Sequence, residues 1–359
     1  MLGELGIDVT TLGNHEYDYK AKGLANMMNN AVASGDTLPA MVICNVDWDS
    51  MNSKGLTEEQ QMLWEAFEGY GVEEYVVIEK GDVNIAVIGV FGEDALDCVV
   101  NPPLEFQDPV EAVKETVAEI KANEDVDMIV CVSHSGTWDD EAKSEDEILA
   151  KSVPEIDLII SGHTHSKLPE PIVHGNTYIV SAAEYGKYLG NMTLTQKTDG
   201  RWNMDSYDLI TVGENIEADK STQEKVDSLM AMVDSKYLEQ FGFTKDQVLA
   251  QNEIKFVDSS DTGRLHTELN LGSIMADSYT YALGDITTAN VYNSFSLGIG
   301  EDGIPRYPLI SVYLTGEELK FFMIIGIMAA VIAVLVLIIV LIVKVIKMVV
   351  KKIRKHNKR

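Results

Sequence analysis

Apolar or β-branched runs recur through the first half of the chain, at Asp8–Leu12, Met41–Val46, Tyr75–Ile78, Ile85–Phe91, Met128–Val132, Leu158–Ile160 and Tyr178–Ser181. Between several of them the apolar positions switch to helical spacing, at Lys20–Ala33, Thr57–Phe67 and Pro109–Ala122. Asp108 is placed to cap the last of these, with Pro109 at its first helical position. Strands alternating with helices predict an α/β domain whose sheets are largely buried. Residues 190–211 read as a hairpin turning at Thr198-Asp199-Gly200 that closes this domain. The Met and aromatic residues of Leu24–Met28 and Trp64–Phe67 sit at core spacing. A polar helix is expected over Ala218–Phe241 and another near Asn270–Leu283.

Phe321–Val343 breaks this pattern, with 23 residues and no charge. As a helix it would extend roughly 35 Å, enough to cross a bilayer core of about 30 Å with some tilt. Eight Lys or Arg and no acid follow within the last sixteen residues. The whole chain carries 28 basic and 57 acidic residues, so residues 1–343 hold a net −37 joined to a +8 tail. The positive-inside rule predicts a single-pass protein of the cell membrane, with a cytoplasmic tail and an extracellular acidic body. So acidic a body excludes recognition of a nucleic-acid polymer through its phosphates. No protein partner is implied. Cys44, Cys98 and Cys131 are too few and too scattered for a disulfide framework or zinc ribbon, and are expected to be small core residues.

The chemistry concentrates in loops that follow strands. Asp8–Leu12 runs into Gly13-Asn14-His15-Glu16-Tyr17-Asp18, Met128–Val132 into Ser133-His134-Ser135-Gly136, and Leu158–Ile160 into Ser161-Gly162-His163-Thr164-His165. Ligands of α/β sheets bind beyond the carboxyl ends of strands, so one site can collect all three loops. His163 and His165, two apart on extended backbone, would project to one side and reach one metal or two neighbouring ones. Imidazoles mixed with oxygen donors suit a hydrolytic metal site. Asn14 offers an uncharged oxygen, and His15 beside it is placed to protonate a leaving group, held by Asp18 three residues on. His174, in a turn-like stretch, is expected to be structural, and Glu16 and Tyr17 to pack the loop.

These three motifs, in this order, resemble the later motifs of the calcineurin-like metallophosphoesterases. The 5′-nucleotidase branch, which includes UDP-sugar hydrolases and 2′,3′-cyclic nucleotide phosphodiesterases, is the most similar. Thr262-Gly263-Arg264 through Asp277 and Val312–Leu319 resemble segments of that branch's recognition domain. The resemblance implies a four-layer, two-sheet α/β metallophosphoesterase sandwich over residues 1–213 and a partial α/β nucleotidase C-terminal domain over 214–320. The membrane helix 321–343 and tail 344–359 lie outside it. It also implies two divalent metal ions (Zn, Mn, Fe, Co or Ca), with Asn14, His134 and His163 on one and His165 on the other. His15 would be the general acid with Asp18 its partner. The implied reaction is attack of a metal-activated hydroxide on a nucleotide or other small phosphoester.

The family's Asp-x-His and Gly-Asp metal motifs precede Gly-Asn-His, and the thirteen residues available here contain neither. No export signal precedes the body. One expectation covers both: the first strands and their ligands belong to an upstream piece. The alternative is a catalytically impaired, membrane-anchored protein that still binds metal or nucleotide. The recognition domain's usual Asn-x-Gly-Gly-Ile-Arg stretch reads Ala289-Asn290-Val291-Tyr292-Asn293-Ser294 here, without the arginine.

Overall fold

A computed structural model describes residues 1–253 and, beyond them, only Ile274, Ser278 and an antiparallel pairing of Gly298–Ile299 with Pro305–Arg306. Within 1–253 the strands are β1 (Val9–Thr10), β2 (Ala40–Met41), β3 (Tyr75–Lys80), β4 (Val83–Phe91), β5 (Met128–His134), β6 (Leu158–Ser161), β7 (Ile172–His174), β8 (Thr177–Val180), β9 (Tyr188–Gln196) and β10 (Trp202–Thr211). The helices are α1 (Lys20–Ser34), α2 (Trp48–Lys54), α3 (Glu58–Tyr70), α4 (Glu93–Asp97), α5 (Pro109–Asn123), α6 (Glu145–Ser152) and α7 (Lys220–Lys236).

Six strands form one mixed sheet in the order β3-β4-β5-β6-β8-β7, with β4, β5, β6 and β8 parallel and the two edges antiparallel. Alternate residues of its strands face opposite layers, as pleating requires. On one face Ala86, Ile88, Val90 and Cys131 pack under Val113, Val117 and Ile120 of α5 and Leu149 and Ala150 of α6. On the other, Val87, Met128 and Val130 meet Val9 of β1 and Leu194 and Trp202 of the β9–β10 hairpin. The expected α/β architecture is present. Among the described residues the second sheet layer consists of two-stranded pieces, the parallel β1–β2 pair and this hairpin.

A third cluster holds the helices that follow β1 and β2. Leu12, Tyr17, Leu24, Met28, Met51, Leu63, Phe67 and Phe91 pack together, and the Trp48 ring meets Trp64 and Phe67 edge-on. Asn45, fully buried, joins this cluster to the main sheet. Its side-chain amide donates to the Phe91 carbonyl at 2.8 Å while its oxygen accepts the Phe91 N–H at 3.0 Å.

Local signals read from the sequence have visible counterparts. Asp108 accepts the Glu111 N–H at 2.9 Å and Pro109 opens α5. The hairpin turns where Asp199-Gly200 suggested, and α7 is followed by a short 3-10 turn, Leu238–Phe241. Cys44 and Cys131 are buried, but Cys98 is exposed, because it caps the carboxyl end of the short helix α4. Among the described residues no helix is long and apolar enough to cross a membrane; the segment 321–343, the basic tail and nearly all of the second-domain motifs lie outside those residues.

Candidate metal and catalytic site

β4, β5 and β6 are adjacent and parallel, so the loops leaving their carboxyl ends meet at one edge of the sheet. The register pairs Phe91 with His134, and the Gly92 N–H donates to the His134 carbonyl at 3.1 Å. The Phe91 ring lies parallel to the His134 imidazole. From the other layer, the segment after β1 enters as a 3-10 turn, Asn14–Tyr17, over a buried Tyr17. Glu16 turns back to accept the Gly13 N–H at 2.7 Å, which gives it a capping role rather than simple packing.

Asn14 Oδ1 lies 2.9 Å from His134 Nε2, although the two residues are 120 positions apart. The His134 and His163 rings stand 5.1 Å apart, centroid to centroid. His15 Nδ1 lies 2.9 Å from Asp18 Oδ2, and the His15 side chain is 73% exposed. His165 stands beside the Tyr185 ring. Burial, followed by the charges of His163, His15 and His165, holds the His134 pKa down at about 4.

His163 and His165 do not lie on extended backbone as expected. Their φ angles are 69° and 56°, in the left-handed region that side chains rarely adopt. The loop is clamped there. The Thr164 N–H reaches the Gly162 carbonyl at 2.9 Å, and its hydroxyl accepts the Thr137 N–H at 3.1 Å. Backbone strain held this firmly clusters at functional sites.

Three carboxylates that sequence reasoning passed over support these loops. Asp94 Oδ2 lies 2.8 Å from His163 Nε2. Glu145 accepts the Glu93 and Asp94 N–H groups at 3.0 and 2.8 Å. Asp146, fully buried, accepts the Ser133 hydroxyl at 2.6 Å and the Gly136 N–H at 3.1 Å, and burial pushes its pKa up to about 6. The rule that flagged the other loops also covers Gly92-Glu93-Asp94 after Ile85–Phe91, so Asp94 was open to the same inference. His174 has a structural partner, with its Nε2 2.7 Å from Glu147 Oε2. Glu141 completes a second potential ligand group with these two, but its carboxylate is drawn to Lys151.

The donors fit a divalent cation. A histidine with a pKa near 4 is neutral at pH 7 and keeps a ring lone pair for a metal. An amide oxygen and two imidazoles on convergent loops are a borderline donor set suited to hydrolytic metals.

Residues 2–167 match the model for the calcineurin-like phosphoesterase family. A 5′-nucleotidase of Vibrio cholerae is 28% identical over 305 residues, covering 75% of this chain and 49% of that protein. A trifunctional nucleotide phosphoesterase protein of Bacillus subtilis is 27% identical over 294 residues, covering 77% of this chain and 19% of that one. The fold resembles the crystal structure of a 5′-nucleotidase precursor from Thermus thermophilus, with a TM-score of 0.58 and 21% identity over 79% of this chain and 53% of that chain. The chain spans about half the length of the 5′-nucleotidases it matches. The three histidine-bearing loops that gather here lie within residues 2–167, the part of the chain similar to calcineurin-like phosphoesterases, and the proteins similar to the chain include 5′-nucleotidases.

Proposed function

We propose that this domain serves a metal-dependent phosphoester hydrolase whose substrates are nucleotides. The observation that carries the reading is the convergence of Asn14, His134 and His163 beside an exposed His15–Asp18 pair. The names of the relatives supply the substrate class. Asn14, His134 and His163 would hold one cation, and His165 would belong to a second. Divalent ions there would polarise phosphoryl oxygens and make a water a stronger nucleophile. His15 presents an imidazole to the departing oxygen as the general acid, and Asp18, 2.9 Å from its Nδ1, holds the ring in position. The clamped 163–165 loop fixes the histidines before substrate arrives, which removes reorganisation from the reaction.

We extend the reading to location. The 321–343 segment would anchor the protein in the cell membrane, with the acidic body outside and the tail in the cytoplasm. Carbonate extraction of membranes and protease accessibility of the body test this directly; a body released by carbonate or shielded in intact cells contradicts it.

The test of activity is phosphate release from nucleoside 5′-monophosphates and from p-nitrophenyl phosphate by the membrane-anchored protein. The reading expects turnover abolished by a chelator, restored by Mn²⁺, Co²⁺ or Zn²⁺, and faster on the nucleotide. Turnover indifferent to chelation rejects the metal; equal rates on both esters reject the nucleotide preference.

A further inference from the structure

A neutral imidazole has one N–H and one lone pair, and an ionised carboxylate can only accept. Asp94 Oδ2 lies 2.8 Å from His163 Nε2, so the proton of His163 belongs on Nε2 and its lone pair on Nδ1. The His163 side chain is 10% exposed, which leaves the ring little room to turn over. We propose that Asp94 is a positioning residue, fixing His163 so that Nδ1 is the nitrogen offered to the metal. The inference rests on the metal reading of the site.

Asp94 is itself held in place. Glu145, the first residue of α6, takes the N–H groups of Glu93 and Asp94 with its two oxygens. That approach requires Gly92. A Cβ there would stand 2.3 Å from Glu145 Oε2 and 2.5 Å from the Ser135 Cα. The order of support runs from α6 through Glu145 to the first turn of α4, then through the Asp94 carboxylate to His163. The next α6 residue, Asp146, steadies the His134 loop through Ser133 and Gly136. One short helix therefore sets the bearing of two histidines from adjacent strands. A carboxylate behind a ligating imidazole also raises its basicity, and losing such a partner typically weakens metal affinity about 10- to 100-fold.

The experiment pairs calorimetric titration of Zn²⁺ or Co²⁺ with nitrogen NMR of the Zn²⁺-loaded protein labelled at histidine. Asp94→Ala is expected to weaken binding about 10- to 100-fold. Asp94→Asn, which keeps an acceptor oxygen without its charge, should fall between it and the wild type. Asp97→Ala, on the same helix, should bind as the wild type does. The wild-type spectrum should show His163 with its proton on Nε2 and the metal on Nδ1. Wild-type affinity in Asp94→Ala overturns the proposal, as does a His163 ligated through Nε2. The spectrum needs no variant, so a variant that fails to fold leaves the proposal testable. A wild-type protein that takes up no divalent ion overturns the metal reading along with it; binding that ignores Asp94 overturns the positioning role alone.

Discussion

Gly13 stands so close to His134 that a Cβ on it would lie 2.7 Å from the ring's Cε1 and 2.8 Å from its Nε2. The backbone of Gly13 is extended, with φ −115° and ψ 179°, a conformation any residue adopts. Its glycine is therefore demanded by the imidazole. Gly13→Ala should push His134 off the Asn14 oxygen and weaken divalent-cation binding at least tenfold, with little change in secondary structure. Calorimetric titration alongside circular dichroism checks this, and unchanged affinity contradicts the placement of the ring.

His15 and Asp18 should separate chemistry from metal binding. A general acid typically contributes about 10²- to 10⁴-fold in rate. His15→Ala is expected to lower kcat within that range while leaving KM and metal content near wild type, and Asp18→Asn to lower it less. Steady-state kinetics with metal analysis of both variants is the measurement. Loss of metal in His15→Ala would make it a ligand instead.

Asn45 is a structural prediction. Removing its amide leaves the buried N–H and carbonyl of Phe91 without partners at the edge that carries the site. Each unsatisfied buried polar group costs about 1–3 kcal/mol. Asn45→Ala should lose about 2–4 kcal/mol by urea unfolding. A loss under about 1 kcal/mol would mean that water or rearrangement replaces those bonds.

Two groups near the site pull the pH dependence of stability in opposite directions. Burial and the neighbouring histidines hold His134 near 4, so from about 6.5 down to 4 the unfolded chain takes a proton the folded one refuses. Its contribution is intact above 6.5 and is lost as pH falls toward 4. Burial holds Asp146 up near 6, so between about 3.9 and 6 the folded chain keeps a proton the unfolded one releases. That contribution is intact at low pH and is lost as pH rises through 6. Asp146→Asn removes only the second effect. In chelator, its unfolding free energy should rise more steeply between pH 4 and 6 than the wild type's; parallel profiles contradict the burial of this carboxylate.

The strand–helix alternation was legible because the parallel strands are buried on both faces and read as continuous apolar runs. Asp108-Pro109 and Asp199-Gly200 were legible because caps and turns are decided by their own residues. Helices α2, α4 and α6 were not, being short and polar, with too little apolar period to register. The left-handed backbone at His163 and His165 left no mark in residue type, since neither is glycine. Asp94 and Asp146 gain their roles through partners 69 and 13 residues away, a pairing only the assembled sheet creates. The His-bearing motifs were visible as a set because each follows an apolar strand, and the same reasoning stopped one strand short of Asp94.

The most direct test is a divalent-cation titration of the wild type beside a His134→Ala, His163→Ala double variant, followed by calorimetry with Mn²⁺ or Zn²⁺. If the three loops form a metal site, the wild type binds at least one ion per chain and the double variant, still folded by circular dichroism, loses that ion. A wild type that binds none, or a double variant that binds as tightly, contradicts the account.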